Sequence, residues 1–270
     1  MNRNLEESIA YLREHTHLTP KIGIILGSGL GAFADTLENK IKISGNEIPH
    51  YPTSTVTGHQ GSLVFGTWQD IPLIAVQGRT HFYEGYAIEK VTYVVRILAA
   101  LGVKILIVTN AAGGVNPRFS PGDLMLITDQ INQMFQNPLR GALTYGGERF
   151  PDMSAPYAPE YFEMIRKTAL KNNIDLKQGV LYVGTGPSYE TAAEVRMIQK
   201  AGGDAASMST VPEVIVANQA GMKVIGISCI TNHATGISAT PLNHDEVTHT
   251  AKLVEKKFLK LITGIISNLD

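Results

Sequence analysis

The segment Lys104-Ile-Leu-Ile-Val-Thr-Asn-Ala-Ala-Gly-Gly114 begins as an apolar, β-branched run and ends in small and polar residues. A short run of that kind reads as a strand covered on both faces, and the small and polar residues as a turn at its C-terminal end. The pattern repeats on either side. Strands are expected at Ile22–Leu26, Leu63–Gly66, Ile71–Gln77, Lys104–Thr109, Asp123–Ile127, Val180–Thr185, Ala205–Met208 and Lys223–Ile230. Helical spacing appears between them, at Ile88, Val91, Val95 and Leu98 and again at Phe162, Ile165 and Ala169. Three later helices carry start signals: Thr191–Glu194, Thr210–Glu213 and Asn243–Glu246 each set a capping side chain three residues before a glutamate. Gly202 and Gly221 stand where helix stops belong. Alternation of this kind predicts an α/β fold, a single domain over residues 1–270 with a mixed, largely parallel central β-sheet flanked by helices.

The ends of the chain and its middle complete the outline. Leu5, Ile9 and Leu12 recur at helical intervals among charges, so residues 1–19 should hold an amphipathic surface helix rather than a signal peptide. Residues 130–158 keep to neither period and are expected to form a long loop, at a functional site or an interface. Of the 270 residues, 44% are hydrophobic and 17% charged, an ordinary globular balance. The formal charge of −1 gives no footprint for nucleic acid or an anionic membrane, so an anionic ligand must be held by local groups. Cys229 is the one cysteine, which excludes a disulfide framework; inside Val-Ile-Gly-Ile-Ser-Cys-Ile-Thr it reads as a buried, inert thiol. No run reaches the roughly 18 apolar residues of a membrane span, and cytoplasmic residence is expected.

Chemistry gathers at one kind of strand end. Gly27-Ser28-Gly29-Leu30-Gly31, Gly78-Arg79-Thr80-His81-Phe82-Tyr83, Asn110-Ala111-Ala112-Gly113-Gly114, Gly186-Pro187-Ser188-Tyr189-Glu190, Ser209-Thr210 and Thr231-Asn232 each come directly after a strand. In a parallel sheet those ends share a rim, where open α/β proteins bind ligands. Each piece also has a plainer reading. Gly27 to Ala32 satisfies the dinucleotide pattern, but too little chain remains for a crossover helix and no acid other than Glu47 is near the end of a second strand. Ser209 and Thr210 either cap a helix or, with the free amides of that helix start, hold an anion. Arg79 is either a paired surface arginine or an oxyanion ligand, and Asn110–Gly114 either a Gly-rich turn or a flexible loop forming an anion nest. His59 reads as a structural or solvated loop histidine, and His233 and His249 as surface residues. No His, Cys, Asp or Glu cluster has ligand spacing, so no metal is expected.

Taken together these motifs resemble the trimeric purine nucleoside phosphorylases. Gly27-Ser-Gly-Leu-Gly, Gly58-His-Gln-Gly, Gln77-Gly-Arg-Thr-His-Phe-Tyr-Glu-Gly, Thr109-Asn-Ala-Ala-Gly-Gly, Gly186-Pro-Ser-Tyr-Glu-Thr, Met208-Ser-Thr-Val-Pro-Glu and Ile230-Thr-Asn match that family in order and spacing, from about residue 20 onward. The resemblance implies a phosphate site at Ser28, Arg79, His81, the Ala111 amide and Ser209, with His59 at its gate. It implies a ribose site at Tyr83, Met208 and His244, and a base site at Tyr189, Glu190 and Asn232. Asn232, Glu190, His81 and His59 would carry the catalysis. Phe150, from the long loop, would close over the ribose of a neighbouring subunit, so a homotrimer is implied. Tyr189 and Ser207 depart from the Phe and Gly of vertebrate members, and the segment His233–Leu242 differs from theirs.

The activity implied is reversible phosphorolysis of 6-oxopurine nucleosides such as inosine and guanosine, in purine salvage. Inorganic phosphate is then a co-substrate and no cofactor is needed. The partners are the nucleoside and phosphate, with no nucleic acid and no membrane. The competing readings are a methylthioadenosine phosphorylase-like enzyme, a nicotinamide-dependent oxidoreductase using Gly27–Ala32, and a non-catalytic nucleoside-binding protein.

Overall fold

A computed structural model describes residues 2–54, 61–238 and 244–269, with the backbone alone at 244–246. Its strands are β1 (Ile22–Leu26), β2 (Glu38–Ser44), β3 (Ser62–Trp68), β4 (Ile71–Gln77), β5 (Ile105–Gly114), β6 (Leu124–Asn132), β7 (Leu176–Val183), β8 (Ala205–Ser207) and β9 (Lys223–His233). Its helices are α1 (Arg3–His15), α2 (Ile88–Val91), α3 (Tyr93–Leu101), α4 (Phe162–Lys171), α5 (Ala192–Ala201), α6 (Val211–Gln219), α7 (His244–Leu253) and α8 (Glu255–Ile266). The strands form one mixed sheet in the order β2-β3-β4-β1-β5-β8-β7-β6-β9. Parallel pairings hold its centre, β4 to β1 to β5 and β5 to β9, while β2-β3-β4 is an antiparallel meander.

The second half of this sheet closes on itself. β9 pairs with β6 on one side and with β5 on the other, so β5, β8, β7, β6 and β9 form a ring. β5 is long enough to take two partners along one edge, β1 over Ile105–Val108 and β8 over Gly113–Gly114. Between those pairings, from Thr109 to Ala112, that edge of β5 is unpaired by either neighbour. The sheet is thus parted over four residues at its centre, and a cleft opens there.

Apolar residues on the two faces of the sheet make two large cores, and a smaller cluster with Tyr182, Val195 and Ile198 lies at α5. One, with Leu98, Val108, Met125 and Val214, lies under α1, α3 and α6; the other, with Ile24, Ile107, Ile227 and Phe258, lies under α4 and α8. Burying both faces is why the central strands are apolar throughout rather than alternating. At the N-terminus, the Asn2 side chain accepts from the Asn4 amide at 2.9 Å to start α1, whose Leu5 and Leu12 are buried. The Thr191–Glu194 box is formed at α5, and Gly202 ends that helix in a left-handed conformation, φ 87°.

Several expectations change. The segment Asn110–Gly114 is not a loop: β5 continues through it, because β9 pairs with it to Gly114. The stretch without period starts at residue 133 rather than 130, since β6 runs to Asn132. β2 is an additional strand, an exposed edge with no buried run to mark it in the sequence. His233 is not a surface residue: it is half-buried on β9, opposite Gly114, and its Nδ1 is buried with no partner among the described residues. His249 is exposed. His59 and Asn243 lie outside the described residues, as do the side chains of His244 and Glu246.

The dinucleotide glycines have other duties. Gly27 packs where a Cβ would lie 2.7 Å from the Asn110 Cα, and its amide donates to Thr109 Oγ1 at 2.9 Å. A 3-10 turn, Gly31–Thr36, takes the place of a crossover helix.

Candidate active site

The open stretch of β5 forms the floor of a cleft enclosing about 730 Å³ of empty space, part of it open to solvent. Six strand ends supply its walls: Ser28 after β1, Arg79, His81 and Tyr83 after β4, Ala111 on β5, Tyr189 and Glu190 after β7, Met208 and Ser209 after β8, and Asn232 on β9. β8 runs antiparallel to β5, yet its C-terminal end arrives in the same place, because it meets β5 at Gly113–Gly114 and heads back along it. Val247 of α7 lines the cleft as well. Phe150 does not; it is 87% exposed and borders a separate cavity with Gln130, Asn132, Met153 and Ile215.

One end of the cleft is built around Arg79, which is buried. Its Nε donates to Glu213 Oε1 at 2.6 Å, and Nη1 donates to the Thr109 carbonyl at 3.0 Å and to Ser209 Oγ at 3.3 Å. Nη2 is buried and has no partner among the described residues. A buried guanidinium nitrogen left unbonded is costly, and an oxyanion in the cleft is the acceptor that would complete it. Ser207 Oγ donates to the Ala111 carbonyl at 3.2 Å, so the Thr109 and Ala111 carbonyls both face the open edge of β5. In an extended strand the Ala111 N–H faces that edge too, a second donor for the same anion.

His81 completes this end. Its backbone amide donates to Glu84 Oε1 at 2.6 Å, and its ring Nδ1 lies 3.3 Å from the same oxygen. Ser54 Oγ donates to the other carboxylate oxygen at 3.2 Å. The ring stacks on Tyr83, with centroids 4.7 Å apart. A carboxylate on Nδ1 keeps a proton there and fixes the plane of the imidazole. Burial, and then the Glu84 charge, push the Tyr83 phenol upward from its ordinary range.

The helix start at α6 differs from expectation. Thr210 and Glu213 do not form a capping box: Thr210 makes no side-chain cap, and Glu213 turns to Arg79. The α6 amides offer less to an anion than expected. Val211 N–H donates to the Ser209 carbonyl at 3.0 Å, Pro212 has no N–H, and Val214 N–H donates to the Thr210 carbonyl at 3.0 Å. Ser209 lines the cleft and bonds Arg79 through its hydroxyl.

At the other end, Asn232 is buried, with Nδ2 3.0 Å from the His233 carbonyl. A carbonyl only accepts, so the nitrogen must be the atom facing it, and Thr231 Oγ1 then donates to Oδ1 at 2.9 Å. The second N–H on Nδ2 remains for a ligand. Glu190 is half-buried, and burial is the main force raising its carboxyl above the ordinary range, with the Glu194 charge adding to it. Tyr189 is more open, at 39% exposed.

Glu213 and Glu84 join the site although the motif reading leaves them out. A signal for Glu213 is present: a glutamate in the apolar helix Val-Pro-Glu-Val-Ile-Val-Ala has to be paired to be buried. Cys229 is buried as expected, and burial pushes its thiol up to about 12. Among the described residues, no helix is long and apolar enough to cross a membrane, and no group of three or more His, Cys, Asp or Glu side chains is placed to hold a metal.

Comparison with known proteins gives the same picture. Residues 21–267 match the family described as the phosphorylase superfamily. A Bacillus subtilis protein named purine nucleoside phosphorylase 1 is 53% identical over 100% of both chains. The purine nucleoside phosphorylase of Bos taurus is 40% identical over 98% of this chain and 94% of its own. Crystal structures of the Schistosoma mansoni purine nucleoside phosphorylase with adenosine and with inosine superimpose with a TM-score of 0.94, at 36% and 35% identity; each covers 99% of this chain, matching 97% and 96% of theirs. The cleft at the rim of β5 is thus found in a chain that belongs to the phosphorylase superfamily, among its purine nucleoside phosphorylases.

Proposed function

We propose that the cleft carries out the reversible phosphorolysis of 6-oxopurine nucleosides, giving free base and (deoxy)ribose 1-phosphate. The observation that carries the reading is the buried Arg79 Nη2, without a partner among the described residues, in the same cleft as the Asn232 amide and the Glu190 carboxylate. Phosphate would sit against Arg79, His81, Ser28, Ser209 and the Ala111 amide, with His59 as its gate. Ribose would lie over Met208 beside Tyr83 and reach His244, and the base would lie by Tyr189 between Glu190 and Asn232.

A phosphate oxygen attacks C1′ as the bond to N9 breaks, and that bond's electrons leave with the purine. Two charges then need support. The cation-like sugar lies next to the phosphate dianion, and the purine anion takes a hydrogen bond at N7 or O6 from Asn232 Nδ2. An ionised Glu190 accepts from N1–H and from a 2-amino group. Adenine offers an acceptor at N1, and two facing acceptors cost about 1–3 kcal/mol when buried. The Schistosoma relative was crystallised with adenosine, so a clash of this size weakens adenosine in the cleft without barring it. The nearest alternative, a methylthioadenosine phosphorylase-like activity, is disfavoured by the same pair, Glu190 and Asn232.

The chain would work as a cytoplasmic homotrimer, with Phe150 reaching a neighbour's cleft, and needs no cofactor besides its co-substrate phosphate. The exposure of Phe150, away from its own chain's cleft, supports that arrangement. The test is inosine with and without phosphate: hypoxanthine release that depends on phosphate is expected. Inosine binding without such release would leave a binding protein instead.

A further inference from the structure

Behind the anion end of the cleft lies a buried polar chain that the proposed chemistry does not use. Thr210 joins β8 to α6 with φ 82° and ψ −56°, and Val211 N–H donates to the Ser209 carbonyl across it. This is a γ-turn of the rare, strained kind, and for a β-branched residue its positive φ is an outlier. Such a conformation persists only where its surroundings over-determine it. The side chain from another strand that bonds it is Asn110, whose Nδ2 donates to Thr210 Oγ1 at 2.9 Å. Thr210 Oγ1 in turn lies 3.3 Å from Ser209 Oγ, the hydroxyl bonded to Arg79.

The far side of Asn110 is unfinished. Its Oδ1 is buried without a partner among the described residues, and so is Ser228 Oγ. The two residues are register partners on the parallel strands β5 and β9, so their side chains stand side by side on one face. The hydrogen-bonded chain reads Asn110, Thr210, Ser209, Arg79.

We infer that Asn110 is a positioning residue for phosphate, holding the strained turn at Thr210 so that Ser209 Oγ stays aimed into the cleft. This rests on the reading of the Arg79 end as the phosphate site. Asn110 touches no substrate on this account, so its loss should show in phosphate affinity and spare the nucleoside.

The test measures phosphate and inosine KM, and the rise in Tm with added phosphate, for wild type, Asn110→Ala, Thr210→Ala and Thr210→Ser. Asn110→Ala should raise the phosphate KM at least tenfold, change the inosine KM less than twofold and blunt the phosphate-dependent Tm rise. Thr210→Ala should do the same, and Thr210→Ser, which keeps the hydroxyl, should recover most of the loss. If Asn110→Ala does not fold, the Thr210 pair decides alone. Equal changes in both KM values, a lowered Tm with unchanged phosphate KM, or no difference between the Ala and Ser variants would each overturn the inference. Wild-type protein releasing no hypoxanthine with phosphate would overturn the underlying reading of the site instead.

Discussion

Glu213 holds Arg79 in place, but its negative charge also opposes any anion that Arg79 binds. Replacing it separates these effects. In Glu213→Gln the side-chain oxygen still accepts from Arg79 Nε, so the guanidinium keeps its direction while one negative charge is removed. The 2.6 Å bond on Nε, the width of the guanidinium and an ordinary bond on Nη2 set the carboxylate and a bound phosphate about 7 Å apart. At an effective dielectric of about 20, their repulsion is roughly 2 kcal/mol per unit charge on the phosphate. Water reaching the cleft screens about half of that, leaving about 1 kcal/mol per charge, or about fivefold in affinity. The phosphate KM should therefore fall, by roughly fivefold for a monoanion and roughly thirtyfold for a dianion. Stability moves the other way: breaking a buried pair costs about 3 kcal/mol at the lower end, which is roughly 6–12 °C in Tm for a chain of this size. Steady-state kinetics at varied phosphate and a thermal melt without phosphate measure both. A phosphate KM that rises tenfold, or a Tm that does not move, would refute the reasoning.

Asn232→Ala should lower kcat on inosine by about 10²–10³, the usual loss of a donor to developing charge, and change the phosphate KM less than threefold. Burial raises the Glu190 carboxyl. Its ionised form is needed on this reading, so guanosine turnover should be full above the raised pKa and fall as pH drops through it, starting above the range of an ordinary glutamate. Glu190→Gln should flatten that acid limb and narrow the gap between adenosine and inosine; an unchanged limb would take the base contact away from Glu190. Cys229, buried and with a thiol raised to about 12, should resist a thiol reagent in the native protein at mildly alkaline pH and react after unfolding. Prompt reaction of folded protein would contradict the burial.

The strands that carry the site are legible because both their faces are covered, which makes runs such as Ile71–Gln77 plainly apolar. The polar residues closing those runs are legible as a set for the same reason. What the pattern does not reveal is long-range. The closure of β9 onto β5 depends on pairings such as Asn110 with Ser228, between segments far apart in the chain, and it is this pairing that turns Asn110–Gly114 from a loop into strand. Local spacing assigns Glu213 to its own helix start, whereas a buried arginine 134 residues away is the stronger partner. Local capping chemistry gives way when a full charge would otherwise be stranded.

The ring of strands also settles how the protein presents itself to other chains. With β9 joined back to β5, β2 is the one strand of the described sheet that has a single neighbouring strand, and so forms a border. That border carries Lys40 and Lys42 and has an irregular register between Glu38 and Ile41. Cationic side chains and a broken ladder are poor templates for a docking strand. Stacking of one copy on another through the backbone of that border is thereby discouraged.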